Sequence, residues 1–317
     1  MLLPLTRRLA VILLTLAGTI ALPPAGALAS HSQVSIMQDD LGLGGPNPDA
    51  VLAKMRALGV QQVRFPARWV YIAPNPNSYK VPKGFSPSNP SAKYYNWGQL
   101  DMVVREAAKF GISVDLDVVG GAPNWALGPG AKSVPATSQG HNVWEPNAAM
   151  LGQFVKALGT RYSGSYNPVT NRTVKNNPDD LPRVSFWSVW NEPDYGPSLA
   201  PQGRPGHLTV EYSPYLYRNL VDQAWNALQH TGHAKDTFLF GELAPRGRPS
   251  WGVFSGMKPL IFMRALYCVD SRYRPLRGTA AALRGCPTTT SGSRRFRSQH
   301  PGLFNATGLA DHPYMRW

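Results

Sequence analysis

The segment Phe186-Trp187-Ser188-Val189-Trp190-Asn191-Glu192-Pro193 joins an apolar, aromatic run to an Asn-Glu-Pro turn. If the run is a strand of a parallel sheet, Glu192 stands at its C-terminal end, where barrel folds gather their catalytic groups. Aromatic neighbours such as Trp190 lower the local polarity, which raises a carboxyl pKa and keeps the acid protonated near neutral pH. Glu192 is therefore a candidate general acid/base, and Asn191 offers an amide to a substrate hydroxyl. Read alone, Asn-Glu-Pro is equally an ordinary turn with a surface carboxylate, because each residue is common in loops.

Other side chains invite the same question. Glu242, in Phe240-Gly241-Glu242-Leu243-Ala244-Pro245, also ends an apolar run and is a candidate nucleophile or base, or a supporting hydrogen-bond partner. Asp115 and Asp117 lie two apart on one strand and face the same side. Two inward carboxylates need a cationic partner, and Arg64 on the adjacent strand supplies one, which favours a buried ion network over a catalytic dyad. Trp125, Trp97, Tyr71, Tyr94 and Tyr95 are candidates for stacking on a ligand ring, with Trp125 foremost; core packing is the alternative for each. No Gly-rich phosphate loop, nucleotide motif or metal constellation occurs, so no cofactor is implied.

Such groups need elements to position them. Short apolar runs at residues 34–37, 60–65, 112–119, 184–190, 237–241 and 307–310 alternate with helical patterns, which predicts βα units and a parallel sheet. Asn47 and Pro48 open the first helix, whose face is Val51, Leu52, Met55 and Leu58 until Gly59 ends it. Asn96 with Gln99 resembles a capping box ahead of Leu100, Val103, Val104 and Ala107. Met150, Leu151, Phe154, Val155 and Leu158 mark a helix running to about Tyr162, Ser213 and Pro214 open another, and residues 260–266 form a short one. Residues 71–96 and 120–143 read as long loops at strand C-terminal ends, where barrel enzymes place binding surfaces.

With 317 residues, 43% hydrophobic and 16% charged, the chain can bury a full barrel core as one domain. Residues 1–29 read as a signal peptide: Arg7 and Arg8, an apolar run over 9–22, then Ala27-Leu28-Ala29 as a cleavage site, leaving 30–317 as the barrel domain. The run is short for a membrane span and is followed by Pro23-Pro24, so no stable membrane anchor is expected. Thr6-Arg7-Arg8-Leu9 leaves the export route open. Export makes Cys268 and Cys286 a plausible disulfide, with buried free thiols as the alternative. The net charge is +14, with many arginines between Arg246 and Arg297 in what reads as a loop rather than a periodic helix. That excess can attract an anionic polysaccharide or a membrane surface, or simply serve solubility. No aromatics are interleaved as single-stranded nucleic acid would want, so no nucleic-acid partner is expected.

Taken together, Val189-Trp190-Asn191-Glu192-Pro193 on the fourth strand, Val63-Arg64-Phe65 on the second and His312-Pro313-Tyr314 at the sixth resemble the clan A glycoside hydrolases, especially secreted bacterial proteins similar to families 5 and 39. Pro123-Asn124-Trp125-Ala126 and Tyr95-Asn96-Trp97 support the likeness, which covers essentially all of 30–317. It implies a (β/α)8 TIM barrel and a retaining glycosidase acting on a polysaccharide or oligosaccharide. A monomer is expected for the full-length protein. Glu192 takes the acid/base role, Asn191 the substrate 2-hydroxyl, and Arg64 helps to hold the nucleophile ionised. His312 and Tyr314 line the reacting subsite. Retaining hydrolysis needs two carboxyl groups about 5 to 5.5 Å apart, and the second Glu is expected on a seventh strand. Six strands are counted where a closed barrel has eight, so the nucleophile and the last two units are expected beyond Trp317. A non-catalytic carbohydrate-binding or cell-surface barrel is the alternative, and an adhesion protein driven by the basic stretch is a third reading.

Overall fold

The computed structural model describes residues 32–91, 93–135, 141–174, 177–249 and 251–314; the signal peptide expected over 1–29 lies outside them. The chain divides into two units, Met1–Val34 and Ser35–Trp317, and of the first only residues 32–34 are described.

The second unit is built on one six-stranded parallel sheet. Its strands are β1 (Ile36–Met37), β2 (Gln62–Arg68), β3 (Ser113–Val119), β4 (Phe186–Val189), β5 (Thr237–Leu243) and β6 (Gly308–Asp311), hydrogen-bonded in chain order. Every pairing is parallel. Sequential parallel neighbours joined by helical crossovers are the arrangement of an incomplete (β/α)8 barrel, six of whose eight strands lie among the described residues.

The crossovers follow the apolar periodicities. Helix α1 (Pro48–Ala57) begins with Pro at N1, where a missing N–H costs nothing. Helices α2 (Gly98–Lys109), α3 (Ala148–Arg161), α4 (Ser213–Gln229) and α5 (Pro259–Leu266) follow. Their apolar faces meet the outer face of the sheet in one continuous core that includes Leu52, Val103, Phe154, Leu158, Trp187, Leu220 and Phe262. Trp97 and Trp69 each stack on Phe154, at 6.1 and 5.8 Å between centroids, which ties the long loop after β2 to α3. The buried Arg161 donates to Asp101 and to the Pro90 carbonyl (2.8 Å), fastening the same loop from below.

Three local expectations are corrected. The capping box at Asn96 and Gln99 does not form: Gln99 Nε2 donates to the Gly44 carbonyl at 3.0 Å, and Trp97 occupies the cap without a side-chain bond. Asn47 likewise makes no side-chain cap bond. The arginine-rich stretch is not all loop, because Arg294, Arg295 and Arg297 lie on α6 (Thr290–Gln299). The Thr289 side chain accepts from Gly292 N at 3.1 Å to start that helix. Phe296 then anchors it in a small buried cluster with Cys268, Ala281 and Cys286. One apolar residue in ten was too faint a period to read as a helix.

Cys268 and Cys286 form a disulfide across 18 positions. Among the described residues, no helix is long and apolar enough to cross a membrane. Closing a loop of this size is worth up to about 3 kcal/mol on the chain-entropy account. The variant Cys268→Ser/Cys286→Ser is therefore expected to melt several degrees lower than the parent, and the parent to match it after reduction. Unchanged calorimetric midpoints in both would show that the staple contributes nothing to the folded domain.

Candidate active site

Inward residues of β2 and β3 and the C-terminal ends of β4, β5 and β6 form a cluster of alternating charge. Strand register brings its members together: Arg64 pairs with Asp115 across β2 and β3, and Pro66 with Asp117. Asp117 faces Ser188 on β4. Because alternate residues share a face, Arg64, Asp115 and Asp117 point to the same side.

Arg64 is the hub. Its guanidinium donates to Asp117, to Glu242 Oε2 (2.7 Å) and to Gln38 Oε1 (2.7 Å), with a longer contact to Asn191 Oδ1 (3.4 Å). Burial works against this cation, but Asp117, Glu242 and Asp115 more than offset it and raise its pKa further. Burial pushes the Asp115 carboxyl up to about 7, with Glu242 adding to the effect against the pull of Arg64. Asp117, fully buried, is also raised by loss of water. Of the two carboxylates expected to pair with Arg64, Asp117 does, whereas Asp115 forms no ion pair with it and Glu242 takes the second place.

His312 joins the two glutamates. Its Nδ1 lies 3.0 Å from Glu192 Oε1 and its Nε2 lies 2.8 Å from Glu242 Oε2. The bonds to Glu192 and then Glu242 raise the imidazole to about 9. At neutral pH it is an imidazolium donating from both nitrogens. The imidazole ring thus stands between the two carboxylates, with one nitrogen on each.

The backbone fixes these ends. Glu192 N donates to the Glu242 carbonyl at 2.8 Å, and His312 N to the Leu243 carbonyl at 3.0 Å. From α4, Tyr217 Oη donates to the Val189 carbonyl (3.0 Å) and accepts from Gly241 N (2.7 Å), tying β4 to β5 just below the site. Asp194 Oδ1 accepts from Ala244 N at 2.9 Å, joining the loops above it. Trp190, Glu192 and Glu242 all adopt left-handed backbone, at φ 67, 48 and 49°, each costing on the order of 1 to 3 kcal/mol. Strain gathered at two neighbouring strand ends marks a place where side-chain direction outweighs local comfort. Trp190 is buried; its indole donates to the Ser198 carbonyl at 2.9 Å, and a Cβ on Gly120 would come within 2.5 Å of its ring.

Two clefts share Gln38, Arg64 and Asn191 as walls. One, of about 370 Å³, runs past Arg68, Asp117, Trp190 and Ser198. The other, of about 330 Å³, is lined by Ile36, Met37, Glu192, His312 and Tyr314. Glu192 is partly open, with 19% of its side chain exposed, whereas Glu242 has 3%. Tyr314 is 66% exposed at the rim. Trp125 is placed differently from its expected role: it is 8% exposed, packs edge-on to Trp69 and Phe85, and donates to the Pro74 carbonyl at 3.0 Å. It lines neither cleft. Gln38 was missed from the sequence, although its place directly after β1 is the strand-end signal that picks out Glu192. Among the described residues, no group of three or more His, Cys, Asp or Glu side chains could hold a metal ion.

No protein-family model matches the chain, and no curated protein matches it. Among solved structures it is similar to Fpglu1 from Fervidobacterium pennivoraus, at 14% identity over 72% of this chain and 46% of that one, with a TM-score of 0.42. A glucosidase from Croceicoccus marinus (18%, 67% and 36%, 0.39) and a family 1 β-glucosidase from Thermotoga maritima (13%, 62% and 36%, 0.39) are similar to a comparable degree. The chain spans less than half the length of each.

A histidine raised in the folded state contributes stability that is complete below its unfolded pKa, near 6.5, and is lost as pH rises through about 9. The His312 ring resonances are therefore expected to titrate near pH 9 in an NMR series and to move toward neutral in Glu192→Gln. A midpoint near 6.5 in the parent would contradict the doubly bonded imidazolium.

Proposed function

We propose that this chain carries the acid/base half of an exported glycoside hydrolase with a retaining mechanism, acting on a polysaccharide or oligosaccharide. The observation that carries the reading is Glu192 itself: a strand-end carboxylate, partly open to a polar cleft, beside the amide of Asn191. In this reading Glu192 protonates the departing oxygen and later activates water, and Asn191 holds the hydroxyl next to the reacting carbon. The cleft suits a hydroxyl-rich ligand, being lined by Gln38, Arg64, Asn191 and Tyr314.

Glu242 is poorly suited to attack. Its carboxylate is buried and already accepts from Arg64 and His312. It acts as a brace that orients Arg64 and His312. The attacking carboxylate is assigned to a further strand outside residues 1–317, as the resemblance to families 5 and 39 implies. The disulfide is consistent with export. A second reading, a barrel that binds sugar without cleaving it, is favoured by one observation: His312 fills the space between the two glutamates.

The test supplies azide as an external nucleophile and uses aryl glycosides of graded leaving-group ability. Release is expected to depend on azide, and Glu192→Gln to slow it by about a hundredfold or more for poor leaving groups and far less for dinitrophenol. Equal turnover by both forms would sink the acid/base role. Saturable sugar binding with no azide-dependent turnover would favour the second reading.

A further inference from the structure

From Ser271 to Ala310 the chain has seven arginines and no acidic residue. Arg274 is neutralised by Asp270 (2.9 Å) and Arg284 by Glu211 (2.5 Å). Arg272, Arg277, Arg294, Arg295 and Arg297 are exposed and have no carboxylate partner among the described residues. Such crowding is self-repelling, yet this region is held firmly: the disulfide staples it, Phe296 roots α6 beside the two cysteines, and Arg277 Nη1 donates to Ser293 Oγ at 2.6 Å. That last bond sets Arg277 against the helix bearing the other three. The charges therefore form one fixed surface instead of a solvated tail.

We propose that this surface, made by α6 and Arg277, binds an acidic polysaccharide and holds the domain on its polymer. The choice of a glycan rests on the glycosidase reading; the anionic partner does not. Arg294 and Arg297 stand about one helical turn apart, roughly 4.5 to 5.4 Å along the axis, which suits a chain with one carboxylate per sugar ring. Duplex DNA presents a phosphate every 3.4 Å or so along each strand. Single-stranded nucleic acid would want stacking platforms; the exposed aromatic here is Tyr273, over whose ring Arg264 already lies at 5.3 Å. The residues of the two clefts that meet at Arg64 and Asn191 take no part in this surface, so docking and chemistry are separable.

Binding of the full chain to immobilised polygalacturonate, with its fully methyl-esterified form as the uncharged control, tests the proposal. Retention is expected on the acid polymer alone, to weaken steeply with salt, and to fall by about tenfold or more in Arg294→Gln/Arg295→Gln/Arg297→Gln, whose melting temperature should match the parent. Glu192→Gln should bind as the parent does, so loss of turnover in that variant with docking intact would bear on the active site alone. Equal binding of the esterified polymer, undiminished binding by the triple variant, or displacement by duplex DNA at a much lower charge concentration would overturn the proposal.

Discussion

The interaction on which the site depends is the pairing of Arg64 with carboxylates that have lost their water. Asp117 and Glu242 are almost wholly buried, and a buried charge is tolerable only when paired and hydrogen-bonded. Arg64 serves both, and His312 continues the alternation from Glu242 to Glu192. The result is a line of opposite charges across the sheet, from β3 through β2 and β5 to the loops after β4 and β6. Each member is immobilised by its neighbours, so the direction of the partly open Glu192 is settled by groups that never reach the cleft.

That line exists because the sheet is parallel and in chain order. A one-residue slip of β3 against β2 would turn Asp115 and Asp117 outward and leave Arg64 facing Val114 and Leu116. The outer core guards against this by demanding that Val114, Leu116 and Val118 face the helices. Packing on one face thus enforces electrostatics on the other. The left-handed residues at Trp190, Glu192 and Glu242 are the local cost of aiming side chains from strand ends whose backbones are also bonded to each other.

Much of this was legible from residues alone. All six strands were visible as short apolar runs, and their boundaries shift by no more than three residues. Alternation plus the need of a buried carboxylate for a cation pointed to Arg64 as the partner of Asp115 and Asp117, of which Asp117 alone takes it. Asn191, Glu192 and His312 were picked out, and they lie within one cluster. What escaped the sequence depends on three-dimensional choice among equals. Gln99 had a capping role and a tertiary partner within reach and took the tertiary one; Trp125 had loop exposure and an aromatic pocket and took the pocket. That His312 would bridge two glutamates from strands far apart in the chain has no local signature, because neither spacing nor composition records which acid an imidazole will face.

The claim that Arg64 and Glu242 are a coupled buried pair is tested most directly by a double-mutant cycle in chemical denaturation, using Arg64→Met, Glu242→Gln and both together. Arg64→Met is expected to cost about 3 kcal/mol or more, since it strands the buried carboxylates of Asp117 and Glu242, Glu242→Gln to cost less, since Arg64 keeps Asp117, and the double change to cost less than the two added together by over about 1 kcal/mol. Strict additivity would contradict the pairing and with it the electrostatic frame that positions Glu192.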